Sequence, residues 1–293
     1  MEAGAAVAGA AAAKGRDRFG LGWRPELAAG ILAHLDRIDL IEVIADDYFD
    51  ASRRDLHALQ TLAAQASVVL HGVSLGMAST VPCARGRLDR IARLIEATGA
   101  EGWSEHLAFV RGGGVEIGHL AAPPRSEASI EGACRNIDCA ARIVGCAPLV
   151  ENIATLVAPP ASQLDEPEWI EGIVRGADVS LLLDLYNLYA NAVNFGDDPH
   201  TFLQRLPLER VAAVHLSGGD WIDGPNGVRR LLDDHVHDVP AEVFALLREL
   251  GRLAPQPLTV IIERDGRYPP IGRLLDQVDG ARAALAAGRE AAA

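Results

Sequence analysis

The segment Leu-Leu-Leu-Asp at positions 181–184 places three apolar residues directly before an acidic one. The same arrangement, a short apolar run that ends in a histidine or a carboxylate, recurs along the chain. The other runs are 68–70 before His71, 102–104 before Glu105 and His106, 148–150 before Glu151 and Asn152, 212–214 before His215, and 260–262 before Glu263. Short apolar runs are typical of parallel strands that are covered on both faces. Because the carboxyl ends of parallel strands meet at one face of a barrel, these polar side chains are predicted to converge there.

So many histidines and carboxylates at one barrel mouth indicate a metal centre. Without a cation, the cost of desolvating these groups and their mutual repulsion would be severe. The sequence therefore predicts a metalloenzyme, and the number of candidate ligands predicts more than one ion.

Strand-like and helix-like segments alternate eight times along the chain. The predicted strands cover 19–22, 40–45, 179–185, 211–216 and 258–263, and three others end at 71, 106 and 152. The predicted helices cover 52–64, 85–97, 129–144, 167–175 and 240–253, and others begin near 25, 198 and 270. Three glycines at 112–114 separate two β-like runs within 108–120, which predicts a hairpin. We predict one α/β domain, a single (β/α)₈ TIM-type barrel over 17–287 with a metal cluster at its C-terminal face, between a disordered tail at 1–16 and a short tail at 288–293.

Composition and charge exclude several classes of protein. A net charge of −13 argues against a nucleic-acid binder, and no apolar run reaches the length of about 20 residues that a membrane span needs. Lys14 is the only lysine, which excludes a Schiff-base lysine inside the barrel. The four cysteines show no C-x-x-C spacing, so we read them as reduced residues of a cytoplasmic protein.

Individual candidates differ in how directly the sequence indicates a ligand. His71 and His215 directly follow apolar strands, which favours metal binding. Asp184 and Asn187 lie three residues apart, so both could face one centre, or Asn187 could cap the turn. Glu105 and His106 are neighbours on one strand. One of them is expected to bind metal, while the other orients a metal-binding side chain.

Asp233, His235 and His237 occupy every second position of one short segment. An extended segment would place all three side chains on one side, toward the metal, whereas a solvated loop is the alternative. Asp46 and Asp47 are likewise neighbours at the end of the second strand, so either one could face the metal while the other points away.

Together, these motifs resemble the multinuclear non-heme iron-dependent oxidative enzymes, the family that includes MbnB and TglH. The resemblance covers about residues 19–285. It rests on G-L-G-W-R-P (20–25), E-V-I-A-D-D-Y (42–48), L-H-G-V-S-L (70–75), S-E-H-L (104–107), L-V-E-N (149–152), L-L-L-D-L-Y-N-L-Y (181–189), V-H-L-S-G (214–218), L-D-D-H-V-H-D-V-P (232–240) and I-E-R-D (262–265). The resemblance implies a barrel that binds two or three irons and uses O₂ to oxidise cysteine residues of a ribosomally synthesised peptide.

The resemblance also assigns expected roles to particular residues. Those matching metal-binding positions are His71, His106, Glu151, Asp184, His215, Asp233, His235, His237 and Glu263. Glu105, Asp47 and Asn187 are expected to act beside them as catalytic residues. One departure concerns E-V-H-A-E-N, where this chain has Ile44 and Asp47 at the positions of His and Asn. The centre is therefore expected to hold two ions, or three if Asp46 or Asp47 compensates.

The expected partners are a cysteine-containing precursor peptide and a separate protein that binds its leader, because no domain beyond the barrel is visible. Two other functions stay open. The order of ligands is also similar to the endonuclease IV and xylose isomerase superfamily, which implies a metal-dependent hydrolase or a sugar isomerase. A metal-binding protein without catalytic activity is the third possibility. It is disfavoured because clustered polar ligands cost stability and are usually retained for chemistry.

Overall fold

Eight parallel strands form a closed barrel in the computed structural model, which describes residues 15–224 and 227–292. The barrel strands are β1 (Arg18–Gly22), β2 (Leu40–Ile44), β3 (Val68–Gly72), β4 (Trp103–His106), β7 (Leu149–Glu151), β8 (Leu181–Asp184), β9 (Val211–Leu216) and β12 (Thr259–Ile262). They follow one another around the barrel in chain order, and β12 pairs with β1 to close it. This arrangement confirms the predicted (β/α)₈ TIM-type barrel.

Helices connect the barrel strands and cover the outside of the barrel. The α-helices are α1 (Ala28–Leu32), α2 (Arg53–Ala63), α3 (Arg85–Thr98), α4 (Glu127–Val144), α5 (Glu166–Gly176), α6 (Leu185–Phe195), α7 (Pro199–Gln204), α8 (Ala241–Leu253) and α9 (Ile271–Ala292). Most lie within two residues of their predicted positions. Helix α6 was not predicted. It begins directly after β8 because the side chain of Asp184 accepts a hydrogen bond from the backbone N–H of Asn187, which caps the first turn.

The predicted tails at 1–16 and 288–293 can be compared with the structure only where it describes the chain. Helix α9 continues to Ala292, which corrects the prediction of a tail at 288–293 for its described residues. Gly288 packs so closely on α8 that an added Cβ would lie 2.0 Å from the carbonyl oxygen of Arg248. Arg289 donates hydrogen bonds to Gln256 and Asp17, which hold the last turns against the barrel. The predicted tail at 1–16 falls mostly on residues 1–14, which lie outside the described residues.

Two antiparallel hairpins interrupt the alternation at the C-terminal face of the barrel. One consists of β5 (Phe109–Gly112) and β6 (Val115–Ala121), which confirms the hairpin predicted within 108–120. The other consists of β10 (Gly219–Asp223) and β11 (Arg229–Asp233), within the excursion expected after β9. Both hairpins extend the barrel mouth, and β11 delivers Asp233 to it.

The barrel interior changes from apolar to polar toward the C-terminal face. Successive residues of a strand point to opposite faces. In β2, Ile41 and Val43 therefore pack toward the helices, while Leu40 packs inside the barrel. Glu42 lies above Leu40 on the inner face and is buried. Within the described residues, no helix is long and apolar enough to cross a membrane.

Candidate metal centre

The polar residues at the strand ends form a buried cluster inside the barrel mouth. Six members fall into two overlapping groups, and within each group the potential ligand atoms lie within 4.8 Å of one another: His71, His106, Glu151, Asp184, His215 and Glu263. All six are buried, and Asp184 and His215 have no solvent-exposed surface. The structure thus brings together six of the nine residues predicted as metal ligands.

The first group of potential ligands consists of His71, His106 and Glu151. Nε2 of His71 lies 3.5 Å from Oε2 of Glu151, and Nε2 of His106 lies 3.4 Å from the same oxygen. The centres of the two imidazole rings are 4.6 Å apart. One cation could therefore contact both histidines and one oxygen of Glu151.

The second group consists of Glu151, Asp184, His215 and Glu263. Nδ1 of His215 lies 3.0 Å from Oε1 of Glu151 and 3.1 Å from Oε2 of Glu263. Glu151 faces the first group with one oxygen and the second group with the other. Its carboxylate is thus placed to bridge two metal ions.

A third set of polar groups lies beside the second. Nε2 of His235 is 2.9 Å from Oδ1 of Asp233, and Asn187 lines the same cavity. Nδ1 of His235 lies 3.1 Å from Oδ2 of Asp265, and the other oxygen of Asp265, Oδ1, accepts hydrogen bonds from the guanidinium of Arg24. Asp233, His235 and Asn187 could hold a further ion, with Asp265 orienting the imidazole.

His237 does not join this centre. The backbone at His235 has φ of 53°, a left-handed conformation that interrupts an extended chain. His237 consequently turns away, and its Nδ1 contacts Asp234 at 3.0 Å. The expectation that Asp233, His235 and His237 share one side of an extended segment is corrected for His237.

Glu105 supports a potential ligand and does not face the centre itself. One of its oxygens accepts a hydrogen bond from the backbone N–H of His106 at 2.9 Å and lies 3.6 Å from Nδ1 of that residue. The other oxygen accepts from the backbone N–H of Leu75 at 3.1 Å. These contacts fix the strand end from which His106 enters the centre.

The aspartates that follow β2 lie apart from the potential ligands. Asp46 accepts hydrogen bonds from the backbone N–H of Val73 and from the hydroxyl of Ser74. Asp47 is exposed and does not line the cavity. Ile44 does line it, so an apolar side chain occupies the position at which the motif has histidine. Asp47 is therefore not placed to substitute for the missing histidine, and its expected catalytic role stays a prediction.

Two features of the site were missed from the sequence. Glu42 lies inside the barrel with Oε1 3.0 Å from Nε2 of His215. Its signal was an isolated acidic residue on the inner face of an apolar strand. Helix α6 presents Asn187, Asn191 and Asn194 at a spacing of four and three residues, which places them on one face. That spacing, read as helical, would have predicted α6.

The three asparagines of α6 hold the segments that surround the centre. Asn187 donates to the carbonyl oxygen of Asn152, at the end of β7. Asn191 donates to the carbonyl oxygen of Ile153 and accepts from the backbone N–H of Thr155. Asn194 exchanges two hydrogen bonds with the backbone of Leu231, on β11. One helix thus holds both the β7–α5 loop and the hairpin that carries Asp233. These paired backbone groups explain why the asparagines are buried.

Opposite charges in the cluster strongly perturb one another. Burial raises the pKa of Glu263, but the adjacent His215 and His235 outweigh burial and hold its pKa well below the usual value. Burial lowers the pKa of His106, but Glu151 and Glu105 outweigh it and raise the pKa to about 9. Carboxylates in this cluster therefore favour a positive charge beside them.

Asp184 shows the opposite effect. Burial and the neighbouring Asp233 and Glu151 carboxylates raise its pKa well above the usual value. Within the described part of the chain, Oδ2 of Asp184, Oε2 of Glu151 and Oδ1 of Asn187 are buried without a hydrogen-bond partner. Buried polar atoms without partners are rare, and a bound ion is one of the few explanations. The donor set therefore fits metal cations, which would neutralise the carboxylates and supply the missing partners.

The cluster forms the floor of a cavity of about 510 Å³ that opens at the C-terminal face. One wall is apolar and consists of the β7–α5 loop and the end of β6. Its apolar residues are Leu120, Ala121, Ala122, Ile153, Ala154, Leu156, Val157, Ala158, Pro159 and Pro160, and the same stretches also contribute the polar residues His119 and Thr155. The cavity is also lined by Asp233, Asp265 and Arg24. A ligand in this cavity would place one side against apolar groups and the other against the metal centre.

Comparison with known sequences connects this site to one family. The family model described as RiPP precursor modification enzyme MbnB/TglH/ChrH, where RiPP denotes a ribosomally synthesised and post-translationally modified peptide, matches residues 18–286. A UPF0276 protein of Streptomyces avermitilis is 35% identical over 273 residues, which is 91% of this chain. The chain spans only about half, 54%, of that longer relative. A UPF0276 protein of Anaeromyxobacter is 33% identical, over 88% of this chain and 89% of its own length.

Solved structures resemble the chain in fold alone. An L-ribulose 3-epimerase superposes with a TM-score of 0.59 at 14% identity, over 94% of this chain and 95% of the epimerase. Endonuclease IV from Thermus thermophilus superposes with a TM-score of 0.51 at 17% identity, over 93% of this chain and 99% of the nuclease. Identities this low carry no inference about the reaction.

Proposed function

Because the chain belongs to the MbnB/TglH/ChrH family of RiPP precursor modification enzymes, we propose that it oxidises cysteine residues of a precursor peptide with iron and O₂. The observation that carries this proposal is the cavity, which combines a histidine and carboxylate centre with an apolar wall. Imidazole and carboxylate ligands without thiolate suit iron, manganese or zinc. We propose iron among them because the motifs resemble those of iron-dependent oxidative enzymes.

Bound iron would supply the electron transfer to O₂ that the oxidation of a cysteine side chain requires. His71, His106, Glu151, Asp184, His215 and Glu263 would hold two ions, and Asp233, His235 and Asn187 a third. Glu151 would contribute one carboxylate oxygen to each of the first two positions. Glu105 would position His106 through its backbone contact.

The apolar wall would hold the peptide and exclude water. Leu156 and Val157 are partly exposed and face the cavity, so they could cover the side chains that flank the reacting cysteine. Holding the substrate in one orientation beside the centre accelerates a reaction without acid or base chemistry. Apart from His119 and Thr155, the side chains of this wall offer a sugar hydroxyl no hydrogen-bond partner, and each hydroxyl left unpaired costs about 1–3 kcal/mol. The wall therefore favours a peptide over the sugar isomerase alternative.

We further propose that a separate protein binds the leader of the precursor and presents it at the cavity. The four cysteines are unbonded. Reduced thiols accord with the cytoplasm, which is our proposed location.

The test combines the anaerobically iron-loaded enzyme with cysteine-containing peptides encoded beside its gene. We expect O₂ uptake and a change in peptide mass that depend on both iron and the cysteine. The matched controls are a peptide with serine in place of the cysteine and the zinc-loaded enzyme, and neither should consume O₂. Activity with zinc alone would contradict the oxidase proposal, as would sugar isomerisation or phosphodiester hydrolysis without O₂ uptake.

A further inference from the structure

Glu42 is a buried carboxylate in the middle of β2, directly below the candidate metal centre. On the same face of the strand, Leu40 packs in the apolar layer inside the barrel and Ile44 lines the cavity above. Only 2% of Glu42 is exposed. A carboxylate in such surroundings is costly unless a partner compensates its desolvation. The partner in this structure is the imidazole of His215.

The two ring nitrogens of His215 face different groups. Nε2 lies 3.0 Å from Oε1 of Glu42, below the centre. Nδ1 lies 3.0 Å from Glu151 and 3.1 Å from Glu263, within the centre. Since the two nitrogens lie on different edges of the ring, Glu42 is not placed to share an ion with Nδ1. Glu42 therefore contacts His215, the potential metal ligand, and does not face the metal position itself.

We propose that Glu42 is a positioning residue that fixes the tautomer of His215. A neutral imidazole carries hydrogen on one nitrogen and a lone pair on the other. Metal binding at Nδ1 requires the hydrogen on Nε2, and Glu42 is placed to accept it. The carboxylate also orients the ring and makes Nδ1 a stronger electron donor, as outer carboxylates do for metal-bound histidines.

His71 offers a comparison inside the same barrel. Its Nε2 faces Glu151, and its Nδ1 lies 2.8 Å from the hydroxyl oxygen of Ser104. A neutral hydroxyl supports His71, whereas a carboxylate supports His215. A charged acceptor strengthens a hydrogen bond about twofold. The metal position that uses His215 therefore gains the stronger electron donation.

The test measures metal affinity in three variants. Glu42→Leu removes the acceptor, and Glu42→Gln keeps an oxygen acceptor without the charge. Thr259→Val is the matched control because Thr259 lines the same small space inside the barrel and its hydroxyl has no partner among the described residues. In anaerobic titrations of Fe²⁺ against a chelator, we expect Glu42→Leu to weaken one metal position by about 10–100-fold. Glu42→Gln should fall between Glu42→Leu and the wild type, and Thr259→Val should bind like the wild type.

A second readout observes the tautomer directly. In zinc-loaded protein labelled with ¹⁵N-histidine, one imidazole should show metal on Nδ1 and hydrogen on Nε2. The signal of that hydrogen should move in Glu42→Gln and stay in Thr259→Val. Since this measurement needs only the wild type and the conservative variant, it decides the proposal even if Glu42→Leu does not fold.

Two results would overturn the proposal while leaving the proposed reaction intact. One is a histidine set bound only through Nε2, and the other is equal Fe²⁺ affinity in all three variants and the wild type. The inference rests on the metal centre and not on the identity of the substrate. A wild-type protein that binds neither Fe²⁺ nor Zn²⁺ would overturn both this proposal and the proposed function.

Discussion

Glu151 belongs to both groups of potential ligands, and each of its oxygens faces a different group. We predict that Glu151→Gln weakens metal binding at two positions at once, because the amide cannot bridge two cations as a carboxylate does. The expected loss of affinity exceeds the 10–100-fold that is typical of residues that only support a ligand. Metal content after equilibration with a chelator measures it, and His237→Gln, which alters a histidine outside the cluster, is the control.

His237→Gln should retain the metal content of the wild type. If Glu151→Gln lost no more metal than His237→Gln, the bridging role of Glu151 would be wrong.

At the scale of elements, two asparagines of α6 hold different parts of the site, one the apolar wall and the other the strand that carries Asp233. Asn191 holds the β7–α5 loop through Ile153 and Thr155, whereas Asn194 holds β11 through Leu231. We predict that Asn191→Ala raises KM for the peptide by roughly tenfold, about 1.4 kcal/mol, with little change in metal content. Steady-state kinetics beside metal analysis of the same samples measures both quantities.

Asn194→Ala provides the contrasting result. It should lower affinity for the ion near Asp233, because β11 loses its attachment to the helix, and should affect KM less. Identical effects of the two substitutions on KM and metal content would show that α6 only maintains the fold.

The same helix shows what the sequence could and could not predict. Apolar runs located the barrel strands and most of the central cluster, since a strand buried on both faces needs such a run. Helix α6 was missed because no glycine or proline separates it from β8, and Asp184 serves both as strand end and as helix cap. Glu42 was missed because the sequence does not show which residue a buried carboxylate contacts. The position of His237 depends on the left-handed turn at His235, which alternating spacing does not reveal.

For the whole molecule, the metal-free barrel keeps several carboxylates in one buried cluster. We predict that metal binding stabilises the fold, because a cation offsets the burial and the carboxylate repulsion that raise the pKa of Asp184. At a metal concentration 100 times Kd, the expected gain is about 2.7 kcal/mol, which for a chain of 293 residues corresponds to a rise in Tm of roughly 4 °C. Thermal unfolding with Fe²⁺ or a chelator, both without O₂, measures it. An unchanged Tm in protein shown to bind metal would contradict this role of the cation.

The ion pair between Arg24 and Asp265 also affects which small molecules reach the centre. Among the described residues that line the cavity, Arg24 is the only lysine or arginine, and Asp265 already binds its guanidinium. No other lysine or arginine among those lining residues is available to pair with an anionic group, and Asp233 and Asp265 add negative charge at the entrance. A phosphate or carboxylate would therefore find no guanidinium or ammonium partner beside the centre. A neutral chain segment needs no such partner, so the side chains at the entrance suit an uncharged stretch of peptide.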